Sequence, residues 1–198
     1  MAWIVRMPLI KRWALMHCFK KENVSEHCHQ TAVIAHLLAV ISNKFFEGQV
    51  DADRVAVTAL YHEISETKLQ DLNSKTKYLN PEFTRQYKRL EHMAEEECLM
   101  TLPEELREEF RALVIQEAVP EECRKIVKAA DTLAAYIKAR DELRFNNAEF
   151  VKVRESFEPK LKQLSEELPE VRYFMEVFLE SCTVTVDELT GVDSRDRA

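Results

Sequence analysis

Three observations predict an all-α fold built as a single helical bundle. Glycine is nearly absent, with only Gly48 and Gly191 in 198 residues, while Ala, Leu, Glu and Lys are abundant. Ile126, Val127, Ala130, Leu133, Ala134 and Ile137 recur at the 3.6-residue period of an amphipathic helix. Asn23-Val24-Ser25-Glu26 carries helix-start chemistry ahead of a long apolar stretch.

The elements follow in order. Residues 1–19 mix Ile4, Val5, Met7, Leu9 and Ile10 with Arg6, Lys11 and Arg12, which predicts a short helix ending in a loop. From His27 to Phe46, Val33, Ile34, Leu37, Leu38, Val40 and Ile41 predict a long, mostly buried helix, with His36 as a core histidine. Glu47-Gly48-Gln49 breaks it, and Asp51 caps the next helix, which carries Val55, Ala56, Ala59 and Leu60. Thr67 to Asn80 reads as a polar loop, where substrate contacts are expected. A charged amphipathic helix spans Phe83 to Met100, a helix begins at Pro103, and another follows Pro120. Two further helices are expected over Glu149 to Leu164 and Pro169 to Leu189. No repeat or long linker divides the chain, so residues 1–190 are expected to form one domain and residues 191–198 a polar, frayed tail.

Composition excludes several functions. Two glycines cannot spell a phosphate-binding loop or a dinucleotide fingerprint. A net charge of −7 argues against long nucleic acids as partners. The five cysteines are scattered and lack a CxxC pair, which fits reduced thiols in the cytoplasm. No long apolar core follows a basic start and no 18-residue apolar run occurs, so neither secretion nor membrane spanning is expected.

The chemistry gathers at Ala59-Leu60-Tyr61-His62-Glu63-Ile64-Ser65-Glu66. Glu66 lies four residues after His62 and three after Glu63, so a continuous helix would turn all three toward one place. Inward-facing charges are costly unless they hold a metal or one another. Asp131 sits on the apolar stripe of its own helix and needs a partner for the same reason. His27 and His29 are two apart, so at most one joins such a site. Mixed imidazole and carboxylate donors suit zinc, manganese, cobalt or iron.

The ordered set of His27, the His62-Glu63 pair and the distant Asp131 resembles the HD-domain phosphohydrolases. The likeness is closer to the YfbR-like 5′-deoxynucleotidases of bacteria and covers nearly the whole chain. Its markers are Arg12-Trp13 with Leu15-Met16, Glu22 to His27, Tyr61-His62-Glu63 with Ser65-Glu66, Asp71-Leu72, Lys77-Tyr78 and Lys128 to Asp131. The resemblance implies a helical HD domain that removes the 5′-phosphate from deoxyribonucleoside 5′-monophosphates. It implies that His27, His62, Glu63 and Asp131 hold one divalent ion of the cobalt, manganese or zinc class. Glu66 would be the catalytic carboxylate, and Arg12 would grip the phosphate. Asp71 would bond the 3′-hydroxyl, and Trp13 would crowd out a 2′-hydroxyl. It also implies a homodimer, for which the apolar faces of the last two helices are candidates.

Two departures from the family stand out. The family's dyad is His-Asp where this chain has His62-Glu63, and the stretch after Asp71 reads Leu72-Asn73-Ser74-Lys75-Thr76 in place of a proline-containing one. Lys75 therefore adds a positive charge beside the expected nucleotide pocket. That lysine raises the alternative of a deoxynucleoside triphosphate triphosphohydrolase. The altered dyad raises that of a catalytically impaired, nucleotide-binding HD protein.

Overall fold

The computed structural model of the protein describes residues 2–190; the tail after residue 190 lies outside them. The chain enters through a 3₁₀ segment, Ile4–Leu9, whose buried Met7 packs with Val24 and Cys28. An antiparallel bridge between Lys11 and Asn23 then closes residues 12–22 into a loop. Two bonds fasten its neck: Arg12 N–H to the Glu22 carbonyl at 3.0 Å, and Val24 N–H to the Ile10 carbonyl at 3.0 Å.

Helix α1 (Val24–Phe45) starts on a reciprocal cap. The Glu26 amide donates to Asn23 Oδ1 at 3.0 Å, and the Asn23 amide donates to Glu26 Oε2 at 3.2 Å. One side of α1 buries His27, Cys28, Ala32, Ala35, Leu38, Ala39 and Ile41. The other side stays in solvent, so Val33 and Val40 are exposed. His36 is exposed as well, beside Asp53 at 3.5 Å, rather than a core histidine. The apolar run is long because α1 packs on α2, α7 and α9, not because it is buried all round. Its end is tight: a Cβ at Gly48 would stand 2.6 Å from Ser42 Oγ.

Helix α2 (Ala52–Tyr61) is capped by Asp51, whose Oδ1 accepts from the Arg54 amide at 2.9 Å. It stops at Tyr61, and Glu66 opens the short α3 (Glu66–Leu69). The four residues between form a turn with Ile64 N–H bonded to the Tyr61 carbonyl and Glu66 N–H to that of Glu63, both at 3.0 Å. The expected continuous helix through His62 and Glu66 is therefore broken there. The expected polar loop contains α3 and α4 (Ser74–Lys77), separated by Gln70 at φ 63°.

Helix α5 (Pro81–Met100) has Pro81 in its first turn and Asn80 as cap, and α6 (Glu104–Val114) follows Pro103. Helix α7 (Glu121–Arg144) buries the predicted stripe. It is followed by α8 (Val151–Glu167) and α9 (Pro169–Val177). The single last helix expected to reach Leu189 is instead α9, a 3₁₀ turn at Glu180–Thr183 and α10 (Val186–Leu189). Leu161 of α8 and Val171 and Phe174 of α9 are spent on the main core with Leu38, Val55 and Leu133. A second apolar cluster, Ile64, Cys98, Leu99, Val114 and Ile115, lies under α5 and α6 with Tyr61 and Phe110 against it.

Candidate active site

The dyad lies in the break between α2 and α3. Ala59 is anchored in the main core, while Tyr61 and Ile64 are anchored in the second cluster. The residues between them are held in the gap. In this tight turn His62 Nε2 lies 3.4 Å from Glu63 Oε1. Glutamate in place of aspartate thus still reaches the cluster.

His27 of α1 and Asp131 of α7 complete it, with His27 Nε2 3.0 Å from Asp131 Oδ1 and the two imidazole rings 5.2 Å apart. One ligand atom from each of His27, His62, Glu63 and Asp131 falls within 4.8 Å of every other. His27 is 1% exposed, and His29 is on the surface. His62 Nδ1 lies 2.7 Å from the Ala59 carbonyl, an oxygen that only accepts, so Nδ1 carries a proton and, in the neutral ring, the lone pair falls on Nε2.

These residues fit a divalent cation. His62 Nε2 and both nitrogens of His27 are buried and make no hydrogen bond among the described residues, which is costly without a further partner. Two neutral imidazoles and two carboxylates also balance two positive charges. Burial, then the Arg12 charge, pulls His27 down to about 3, which keeps it neutral with its electron pairs available. Burial opposes ionisation of Asp131, but the His27 contact and nearby positive charges hold it below the usual carboxylate range. Burial would lower His62, yet the adjacent Glu63 carboxylate and the Cys28 contact raise it to about 10, so a bound ion would displace a proton from Nε2. Burial pushes Glu63 up. Burial, then the charges of Glu63 and Asp71, pushes Glu66 up to about 9.

Arg12 borders this cluster, close enough for its charge to act on Glu63, Glu66, Asp71 and Asp131. Its Nη1 is buried with no hydrogen-bond partner among the described residues. Trp13 is held with φ 56°, a left-handed backbone that is uncommon for a bulky residue. Its ring packs edge-on against the buried Phe150 at 5.4 Å. Asp71 follows the left-handed Gln70; burial raises it, while Arg12 and the Trp13 amide pull the other way. The structure thus brings Arg12, Trp13, Glu66 and Asp71 to the four-residue cluster.

Lys75 is the exception. It is exposed on α4, its amide capped by Asn73, and its ammonium has no contact with the cluster among the described residues. The lysine that reaches the site is Lys77, whose charge acts on Glu63 and Asp71 and which pairs with Glu91 at 2.6 Å. Sequence reasoning gave Lys77 and Glu22 no role of their own. Glu22 is buried, accepts the Trp13 indole N–H at 2.8 Å and lies 3.8 Å from Arg12 Nε. Its sequence signals were its place at the head of the Glu22 to His27 marker and immediately before the α1 cap.

The architecture is that of the HD-domain phosphohydrolases. An HD-domain phosphohydrolase from Listeria innocua superposes with a TM-score of 0.79 over 96% of this chain and 90% of its own, at 18% identity. A cyanophage S-2L HD phosphohydrolase, solved with dA and one catalytic Zn2+ ion, superposes with a TM-score of 0.66 over 91% and 96%, at 16% identity.

The chain belongs to the 5′-deoxynucleotidase YfbR-like family, whose profile matches residues 1–182. A 5′-deoxynucleotidase of Vibrio vulnificus is 43% identical over 189 residues, 96% of each chain. One of Yersinia pestis is 40% identical over 195 residues, 98% of each.

Proposed function

We propose that the protein is a divalent-metal-dependent 5′-deoxynucleotidase, releasing phosphate from deoxyribonucleoside 5′-monophosphates. The observation that carries this reading is the convergence of His27, His62, Glu63 and Asp131 beside a buried guanidinium with a free Nη1. Family membership supplies the substrate class.

The four converging residues hold the ion, of the cobalt, manganese or zinc class. When bound, such an ion polarises a phosphoryl oxygen and makes water a better nucleophile. Arg12 binds the phosphate and offsets its charge as the P–O bond to the 5′-oxygen breaks. Glu66 orients the attacking water and shuttles a proton, the one lost by the water ending on the departing 5′-oxygen. Asp71 accepts from the 3′-hydroxyl, and the Trp13 ring fills the space a 2′-hydroxyl would need. Lys75 is assigned an outer contact with the bound nucleotide, since it is exposed on the segment after Asp71.

Residues 1–190 act as one catalytic domain in this reading, in the cytoplasm and as a homodimer. Among the described residues no helix is long and apolar enough to cross a membrane. The apolar faces of α8 and α9 are largely spent on the core. Leu90, Met93 and Met100 of α5 remain exposed for a subunit contact, which light scattering tests.

Phosphorus NMR of the products tests the chemistry. Orthophosphate from a deoxynucleoside monophosphate supports the reading. Triphosphate released from a deoxynucleoside triphosphate, with the monophosphate untouched, overturns it.

A further inference from the structure

Glu22 lies outside the ion-binding cluster and touches two residues on the substrate side. A single oxygen, Oε2, accepts the Trp13 indole N–H at 2.8 Å and stands 3.8 Å from Arg12 Nε. The carboxylate faces the guanidinium from its Nε edge, and Nη1 has no hydrogen-bond partner among the described residues. Its backbone takes part as well, because the Glu22 carbonyl accepts the Arg12 amide at 3.0 Å. Trp13 sits at φ 56°, a conformation a bulky residue keeps only when its surroundings fix it. Three groups do so: Oε2 of Glu22 on the indole, Phe150 in edge contact with the ring, and Asp71 near the backbone amide.

We infer that Glu22 is a specificity-determining positioning residue, setting the Arg12 guanidinium and the Trp13 ring together so that phosphate grip and exclusion of a 2′-hydroxyl share one anchor. This deepens the deoxynucleotidase reading and rests on it. A buried carboxylate here has a reason to exist beyond stability: it fixes the relative placement of a cation and a ring that contact opposite ends of one ribose phosphate. A misplacement of about 1 Å at such a site is enough to change rates by orders of magnitude.

The test compares kcat and KM for dAMP and AMP in the metal-loaded wild type and in the Glu22→Gln, Glu22→Ala and Trp13→Phe variants. Glu22→Gln keeps an acceptor for the indole but loses the charge beside Arg12. It is expected to raise KM about tenfold for both nucleotides with the deoxy-to-ribo ratio of kcat/KM kept. Glu22→Ala is expected to raise KM similarly and to lower that ratio about tenfold or more. Trp13→Phe, which keeps a ring and loses the N–H, is expected to lower the ratio. Bound metal is expected to be equal in all four proteins.

A ratio unchanged in Glu22→Ala, in a protein that folds and binds metal, overturns the inference and leaves the deoxynucleotidase reading intact. If Glu22→Ala does not fold, an unchanged ratio in Trp13→Phe together with an unchanged KM in Glu22→Gln overturns it equally. A wild type that releases no phosphate from dAMP overturns the deoxynucleotidase reading and this inference with it.

Discussion

His62 donates its Nδ1 proton to the carbonyl of Ala59 at 2.7 Å, which turns the Nε2 lone pair toward Glu63, His27 and Asp131. The last turn of α2 thus sets the tautomer of a residue just beyond its end. Metal ligands commonly have their second nitrogen fixed in this way.

A protein with such a site is stabilised by the ion that fills it. Adding a divalent cation at about 100 times its Kd is expected to raise stability by about 2.7 kcal/mol, read as a higher melting temperature. Asp131→Ala removes one ligand atom and is expected to abolish that shift. An equal shift in the variant places the ion elsewhere.

Glu63 lies in the turn at residues 62–65 and reaches the cluster with Oε1 3.4 Å from His62 Nε2. Shortening the side chain in this backbone withdraws the oxygen by about one bond length. Glu63→Asp is therefore expected to weaken metal binding and to leave kcat at or below the wild-type value. A gain in turnover would show that the turn is built for aspartate.

Glu66 supplies proton transfer in the proposed chemistry and holds no metal. Glu66→Gln is expected to lower kcat by about 10²–10⁴-fold while leaving metal content and KM nearly unchanged. Unaltered turnover would remove Glu66 from the mechanism.

The loop bearing Arg12 and Trp13 is tied down at its far side by a buried ion pair. Glu142 is 1% exposed and pairs with Lys138; its carboxylate accepts from the Phe19 amide at 2.9 Å, the Lys20 amide at 3.1 Å and Asn147 Nδ2 at 2.9 Å. Burial opposes its ionisation, but these donors hold Glu142 down to about 2. A carboxylate depressed in the folded state contributes stability that is present above its ordinary value and is lost as pH falls toward 2. Removing one partner strands a buried charge, so Glu142→Ala is expected to cost about 3–5 kcal/mol in denaturant unfolding at pH 7. The variant should also lose part of the wild type's acid sensitivity between about pH 4.5 and 2.

Glu95 behaves in the opposite sense. It is buried on α5 with the Gln116 amide as donor at 3.0 Å, and burial raises it to about 7. A carboxyl raised in the folded state contributes most below its ordinary value and loses that contribution as pH rises through 7. Glu95→Gln is expected to be relatively more stable than the wild type at pH 8 than at pH 5, by chemical denaturation at both.

Much of this architecture was legible in the sequence, for reasons that particular residues make clear. The caps at Asn23, Asp51 and Asn80 and the stripe on α7 are local signals, and each element starts or buries as its residues dictate. The choice of His27 over His29 came with the family resemblance, while Asp131 was legible because it sits on an otherwise apolar stripe. The helix break after Tyr61 was not, since it arises from anchoring Ala59 and Ile64 in two different clusters. The exposure of His36 and the choice of Lys77 over Lys75 also depend on which faces meet. Glu22 and Glu142 act on residues brought to them by the loop closure, which local pattern does not encode.

The most direct measurement is phosphate release from dAMP by protein stripped with chelator and then reloaded with cobalt, manganese or zinc. The account predicts no release from the stripped protein and restored release of orthophosphate and deoxyadenosine with at least one of these ions. Undiminished release from fully stripped protein, or none with any of the three ions in a folded protein that binds them, would contradict it.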